Sequence, residues 1–456
     1  MLDKPKDLDL TRFHRWSKPD KNGNCTPTDT KDDAIAEGII EYSDVFIYNG
    51  KLYLYHNGVY QMDDDGSIFK TMISKFIYDD LRTDTRITRI HKLLLSKYSI
   101  RIEEPDINNH PPTWVNFRNG MLDIRTLELH PHDPEYRSIN QLPHEWSGSF
   151  NGADPVVSDF LSGIIPNDDD REMFLQYAGY CFTPDMHLQK FLIISGEGGL
   201  GKSVLLRLMQ LAVGWKNISC LTLQNLNDRF SPASLLGKLL NIYADLPSTD
   251  MGEIAGIKTV VGQDAVRGEY KGGKIFSFHP FCKLLYSANQ IPKSRDDKTT
   301  AYYRRLLILP ITQRGEEIHH LEERLQENID DFIFLAVGAA HRMYTERDGN
   351  ILESENSKKA VLDLYMSTDT VKAFMVDTGL ARVPDSQIAR TDLYRDYCDY
   401  CNQEERESAK LTSNGFYSNL REKGFGEKKI GGTRYFVDIG YKPPVEFVPI
   451  PDEPPF

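Results

Sequence analysis

Residues 191–210 read FLIISGEGGLGKSVLLRLMQ, and this stretch limits the folding choices of the chain most tightly. An apolar run of strand length enters a glycine-rich turn and leaves along a sequence of helical periodicity headed by Lys202 and Ser203. A strand that turns directly into a helix needs a sheet to join and a layer above that sheet for the helix, which is an α/β arrangement. The turn satisfies the spacing G-x-x-x-x-G-K-[ST] through Gly196, Glu197, Gly198, Gly199, Leu200, Gly201, Lys202 and Ser203. Glycines at these places let backbone N–H groups face inward around phosphate oxygens, and the helix N-terminus adds favourable partial charge. The expected nucleotide-binding set is those eight residues with Val204; Lys202 neutralises the β- and γ-phosphates of ATP and the Ser203 hydroxyl ligates Mg²⁺.

A phosphate loop serves kinases, switches and motors alike, so the rest of the pattern must decide. Further apolar strands are expected at 238–245, 283–288 and 306–310, separated by helices and loops. That alternation predicts a largely parallel sheet with its ligand at the strand carboxyl ends. Asp245 ends the first of these strands, where a carboxylate can hold the Mg²⁺ shell or activate water. Ala244 stands where many such strands carry another acid, so either Asp245 does both jobs or the base comes from elsewhere, with Asp250 and Glu253 as candidates. YSANQIP ends the next strand and places Asn289 where an amide can reach the γ-phosphate or the attacking water. Arg304 and Arg305 precede the last strand. On an extended chain they face opposite ways, so one of them can reach a neighbouring subunit's triphosphate as an arginine finger. A surface salt bridge is the plainer use for the pair.

At 456 residues the chain is too long for one ordinary core, and roughly 150 residues per domain implies about three units. Residues 1–35, scattered with Pro, Asn, Asp and Gly, read as a poorly ordered lead-in, and 36–150 as a mixed α/β module. Within that module Asn49-Gly50 and Asn57-Gly58 mark the turns of a three-stranded meander. Residues 151–365 read as an ATPase domain with a helical lid, and 366–456 as a small separate unit with a tail. The net charge of −13 excludes a protein that is basic all over and leaves room for a local positive patch. The six scattered cysteines form no secreted-type disulfide framework and point to a reducing cytoplasm. Cys398 and Cys401 read as neighbours one turn apart on a helix. No apolar run approaches the roughly 20 residues that span a bilayer, so neither export nor membrane insertion is expected.

Two basic features lie outside the phosphate loop. VRGEYKGGKIFSF reads as a β-hairpin with Lys271 and Lys274 at its tip and Arg267 on its flank; in isolation such a turn is usually just solvated. TDLYRDYCDYCNQEE, LTSNGFYSNLREKGF and GEKKIGGTRYFVDI read in turn as a helix, a second helix opening at a Thr-Ser-Asn cap, and a glycine-bounded basic hairpin. Together they suggest a winged helix, with Asn414, Tyr417, Arg421 and Lys423 on or near the presented helix and Lys428, Lys429 and Arg434 in the wing. Such units bind DNA or dock proteins.

The ordered set GEGGLGKS, KLLNIYADLP, IKTVVGQDAVRGEYKGGKIFSF, KLLYSANQIP and TAYYRRLLILP resembles the superfamily 3 helicases of the phage and plasmid primase-helicase family, related to poxvirus-type primase-helicases. The resemblance spans roughly residues 110–440 and includes WVNFRNGMLDIRTLELHPH ahead of the ATPase. It implies a P-loop AAA+ core, an α/β fold with a parallel sheet, in a ring that is usually a hexamer and moves 3′-to-5′ along single-stranded DNA. It makes Lys271 the pore lysine, with Lys274 and Arg267 as secondary contacts. Many members also carry a primase domain. Here Asp63, Asp64 and Asp65 lie in a turn beside Gly66 and read as solvated charge, so that domain is expected to be absent.

The sequence thus predicts an ATP-dependent replicative helicase of a mobile genetic element, acting on single-stranded and forked DNA, with any primase, polymerase or loader supplied separately. Two other classes compete. An ATP-gated DNA-binding initiator or regulator would bind a duplex site specifically and turn over slowly. A small-molecule kinase would need an acceptor pocket and neither arginine fingers nor a winged helix.

Overall fold

The computed structural model describes residues 8–247, 254–271, 275–293, 301–404 and 410–442. A short strand pair, β1 (His14–Trp16) and β2 (Pro27–Thr30), precedes helix α1 (Asp32–Tyr42). Residues 8–35 are therefore folded, contrary to the expected loose lead-in. The reason is burial of two side chains. Phe13 meets Phe76 edge-on at 5.3 Å, and buried His14 bonds the Leu10 carbonyl at 2.8 Å.

Next come β3 (Val45–Tyr48), β4 (Lys51–His56) and β5 (Val59–Asp63), an antiparallel meander. Both of its turns use an Asn-Gly pair in the left-handed region, with φ of 46° and 74° at Asn49 and Gly50 and of 50° and 84° at Asn57 and Gly58. Two left-handed residues in succession match the twist of the flanking strands. The sequence reading of Asp63 needs correction. Asp63 is buried, and its carboxylate accepts the N–H groups of Ile68 and Phe69 at 3.2 and 2.9 Å, capping helix α2 (Ser67–Lys75). Only Asp64 and Asp65 are exposed. Helix α3 (Asp84–Ser96) and the small sheet of β6 (Trp114–Phe117), β7 (Gly120–Asp123) and β8 (Leu129–His130) complete this module.

The middle of the chain opens with α4 (Val156–Ile164) and α5 (Asp168–Tyr180), followed by β9 (Phe191–Ser195) and α6 (Lys202–Val213). Then come β10 (Ile218–Ser219), β11 (Leu240–Tyr243), α7 (Ala255–Val261), the hairpin of β12 (Val266–Glu269) and β13 (Ile275–Phe278), β14 (Lys283–Ala288) and β15 (Leu306–Pro310). Strands β10, β11, β14, β9 and β15 lie side by side in that order, every pair parallel. Alternation along the strands divides the core. Leu192, Ile194, Leu285, Leu307 and Leu309 face α4, α5, α6 and α9 (Ile329–Glu346), while Phe191, Ile193, Leu284, Leu306 and Ile308 face α7 and the buried Tyr302 and Tyr303. Gly179 permits α5 to approach α9 closely, since a Cβ there would lie 2.3 Å from the Ala336 carbonyl oxygen.

Helices α8 (Leu321–Glu327) and α9 lead into α10 (Glu355–Thr368). Helix α10 is continuous across residue 366, so the expected domain boundary there falls inside a helix. Its N-terminal part is tied to β15, where Ile308 N donates to Ser357 Oγ at 3.1 Å, and Met366 packs on the next unit. That unit runs α11 (Thr370–Thr378), β16 (Leu380–Ala389), α12 (Arg390–Gln403), α13 (Ser413–Glu422), β17 (Gly426–Ile430) and β18 (Thr433–Tyr441). Its sheet order is β16-β18-β17, and it has its own core around Phe374, Tyr397 and Phe416. Cys398 and Cys401 share α12 as unlinked thiols. Among the described residues no helix is long and apolar enough to cross a membrane, and no group of three or more His, Cys, Asp or Glu could hold a metal ion.

Candidate functional site

Parallel strands send all their carboxyl ends to one side, and a cleft of about 1000 Å³ opens there. The loop between β9 and α6 forms its floor. Gly196 has a φ of 151°, and a Cβ on it would meet the Ile311 carbonyl oxygen at 2.3 Å, so only glycine allows the close passage beside β15. Gly199 and Gly201 take φ of 81° and 92°, and Gly201 hands the chain to α6.

Lys202 is buried beneath this loop. Its Nζ donates to the carbonyls of Gly196 and Glu197, both at 2.7 Å, and to Asn289 Oδ1 at 2.9 Å. All three acceptors are neutral oxygens, so its three donors are satisfied while its charge has no carboxylate among these partners. Such a cation attracts an anion to the loop. Ser203 is exposed beside it.

Asp245 enters the cleft from the end of β11. Its φ of 52° is left-handed, a conformation that Asp tolerates better than most residues. Its N–H donates to Ser287 Oγ at 3.2 Å, and Leu246 N donates to the Ser287 carbonyl at 2.9 Å, so the reversal is pinned to β14. Ala244 is not among the residues that line the cleft. The structure therefore brings together residues 198–204, Asp245 and Asn289, while Gly196 and Glu197 hold Lys202 from behind. Asp250, Glu253 and Lys274 lie outside the described residues.

The cleft also contains residues that the sequence reading missed. Phe160 and Ile164 from α4, with Ile318 and Leu321, give an apolar wall, and Arg314, Glu316 and Glu317 add charge at the rim. One signal was available: β15 runs parallel to β9, so the segment leaving it must reach the same side as Asp245 and Asn289.

Arg304 and Arg305 stand elsewhere. They occupy a 3₁₀ turn before β15, not the extended chain on which their opposite orientation was argued. The outcome still separates them. Arg304 is exposed, whereas Arg305 is partly buried and its Nη1 donates to the Ala301 carbonyl at 2.9 Å. Both lie at the amino end of a strand whose carboxyl end meets the cleft, and its five residues put roughly 17 Å between the two ends.

The hairpin of β12 and β13 pairs Val266 with Phe278 and Glu269 with Ile275. Arg267 and Lys271 are exposed on it. In the C-terminal unit Lys429 lies opposite Arg434 across the β17–β18 hairpin, next to Lys428, and all three are exposed. Like charges set face to face cost some stability. The neighbouring helix departs from expectation. Asn414 is exposed, but Tyr417 is buried under the Arg390 guanidinium at 3.9 Å and donates its hydroxyl to the Arg390 carbonyl at 3.0 Å. Lys423 is paired with Asp369 at 2.7 Å, and Arg421 with Glu427 at 3.3 Å. Core packing and local ion pairs take up these side chains, which sequence spacing placed on a presented face.

Residues 41–183 match a family described as D5 N terminal like, and residues 193–305 match a family of unknown function, DUF5906. The putative helicase 121R of Invertebrate iridescent virus 3 is 23% identical over 244 residues, which covers 50% of this chain and 26% of the relative. The chain thus spans about a quarter of the length of that curated relative. An apo structure of the NrS-1 C-terminal region superposes with a TM-score of 0.52 at 13% identity, covering 89% of this chain and 98% of the other. A second apo structure of the NrS-1 C-terminal region gives 0.51 at 14%, covering 90% and 100%. The last two establish similarity of fold. The chain is thus similar over part of its length to a viral putative helicase and to the D5 N terminal like and DUF5906 families, and it shares the fold of the NrS-1 C-terminal region.

Proposed function

We propose that the chain is an ATP-dependent replicative DNA helicase of a mobile genetic element, working as a hexameric ring of AAA+ type and moving 3′-to-5′ on single-stranded DNA. The observation that carries this reading is the buried Lys202 ammonium, held by neutral oxygens in a cleft that also receives Asp245 and Asn289. A triphosphate laid on residues 196–204 would draw Lys202 from the Gly196 and Glu197 carbonyls onto its β- and γ-oxygens. Ser203 and Asp245 offer hard oxygen donors suited to Mg²⁺, which when bound spreads the phosphate charge. Asp245 orients or deprotonates the attacking water, and Asn289 senses the γ-phosphate from the next strand. The base rests on the wall of Phe160, Ile164, Ile318 and Leu321.

Arg304 sits too far from its own cleft to assist there, which favours action on a neighbouring subunit's triphosphate. Lys271, on the hairpin inserted between the strands that end in Asp245 and Asn289, grips the DNA backbone. The C-terminal unit is read as a winged helix whose wing of Lys428, Lys429 and Arg434 holds duplex DNA ahead of the ring.

The test is ATP hydrolysis with and without single-stranded DNA, beside forked-duplex unwinding, on the parent and on Lys202→Ala. Stimulated hydrolysis and strand displacement, both lost in the variant, are expected. Hydrolysis indifferent to DNA, with specific duplex binding by the basic wing, would replace the motor with an ATP-gated initiator.

A further inference from the structure

We infer that Glu104, in the module ahead of the ATPase, is a positioning residue for the β12–β13 hairpin and couples that hairpin to DNA-driven turnover; this rests on the proposed helicase reading. The hairpin forms a two-stranded sheet separate from the central sheet. Its two strands are fastened to different parts of the molecule. Glu269 on β12 takes a two-pronged bond from Arg229 at 2.7 and 2.9 Å, which ties that strand to the loop between β10 and β11. The exit of β13 is tied 175 residues away. There the Glu104 carboxylate accepts the His279 backbone N–H, meets His279 Nδ1 at 2.7 Å, and accepts the Tyr48 hydroxyl at 3.4 Å. Near the tip, Lys51 of β4 places its ammonium 5.6 Å from the Tyr270 ring centre.

These ties bear on motion because of where the hairpin joins the sheet. His279 lies just before β14, every residue of which is buried and whose far end leads to Asn289 at Lys202. A shift of β14 that follows the nucleotide arrives at the hairpin root as a push. With the root held by Glu104, the push becomes a swing of the tip that carries Lys271; with the root free, the hairpin moves bodily. A cleft of about 430 Å³ opens beside Glu104 and His279 at the hairpin root, so this tie is not buried in solid packing.

The experiment measures basal ATP hydrolysis, its stimulation by an oligo-dT strand, and forked-duplex unwinding on the full chain. Glu104→Ala is expected to keep basal hydrolysis and lose about tenfold in DNA stimulation, the order of one charge-assisted hydrogen bond. Glu104→Gln, whose amide can still accept from His279 N and donate to Nδ1, is expected to recover most of it, which a general loss of packing would not allow. Lys51→Met, which removes the β4 ammonium beside Tyr270, gives a milder loss of the same kind and serves if Glu104→Ala does not fold. Lys271→Ala tests the underlying reading. If it abolishes strand binding while Glu104→Ala and Lys51→Met retain full stimulation, the coupling role is overturned. If Lys271→Ala is itself harmless, the hairpin is no DNA grip and the underlying reading falls with the inference.

Discussion

Lys202→Met separates the chemistry of the cleft from the stability of the fold. The substitution keeps an unbranched side chain of similar length and removes an ammonium that donates at 2.7, 2.7 and 2.9 Å to three neutral acceptors. In the absence of nucleotide each of those bonds contributes about 1 kcal/mol, offset by the cost of burying an ammonium, so stability is expected to change by no more than about 1 kcal/mol. That corresponds to roughly 2–4 °C in Tm for a domain of about 200 residues. With a triphosphate the balance differs. Two charge-assisted bonds to phosphate oxygens at about 1.5–3 kcal/mol each make a loss of about 3–6 kcal/mol, or roughly 150- to 25,000-fold in kcat/KM. The assay pairs steady-state hydrolysis with thermal unfolding at increasing ATP. Saturating nucleotide at about 100 times Kd should stabilise the parent by about 2.7 kcal/mol and the variant far less. A folded Lys202→Met protein that hydrolyses ATP within about tenfold of the parent, a deficit of only about 1.4 kcal/mol, would refute the assignment of Lys202 as the phosphate-binding cation.

Other expectations follow from single features. Subunits carrying Arg304→Ala should bind nucleotide but not hydrolyse it, and mixing them with Lys202→Met subunits should restore turnover at the shared interfaces; no recovery would place Arg304 outside the site. Gly179→Ala should lower Tm even though Ala is the better helix former by about 1 kcal/mol, because its Cβ would lie 2.3 Å from the Ala336 carbonyl oxygen and 2.7 Å from Ala340 Cβ; a raised Tm would contradict the α5–α9 contact. For Asp185, burial favours the neutral acid, but bonds from His187 and Tyr344 outweigh it and hold the pKa at about 2 against an ordinary 3.8, while the same Asp185 bond raises that of His187. The Asp185 contribution is present above pH 3.8 and lost as pH falls through about 2, whereas that of His187 is complete below pH 6.5 and lost as pH rises through its raised value. Asp185→Asn should therefore cost about 2 kcal/mol near pH 6 and less at pH 9 by denaturant unfolding, and an equal cost at both would deny the ion pair. Replacing Lys428 and Lys429 together by Ala should lower the slope of log K against log salt for duplex binding by about 1.8, and an unchanged slope would remove the wing from the DNA.

What the sequence determined by itself was what depends on short-range chemistry. Residues 191–210 specify strand, glycine loop and helix because the conformations needed at Gly196, Gly199 and Gly201 are nearly closed to other residues. The Asn-Gly pairs specify the meander turns, and apolar runs of strand length at 283–288 and 306–310 match β14 and β15. The gathering of Asp245 and Asn289 at one cleft also follows from strand patterning, because parallel strands deliver their ends together. Tertiary structure decided which side chains remain available and which distant segments meet. Tyr417 and Lys423 are absorbed by Arg390 and Asp369, Asp63 is drawn inside to cap a helix, and Phe13 folds a segment that looked too polar to order. Arg314 and Phe160 join the cleft beside Lys202, and Glu104 meets His279, through sheet order and packing between residues far apart in the chain. Local backbone geometry is encoded in a few adjacent residues, whereas these pairings come from burial and long-range contact, which no short stretch of sequence contains.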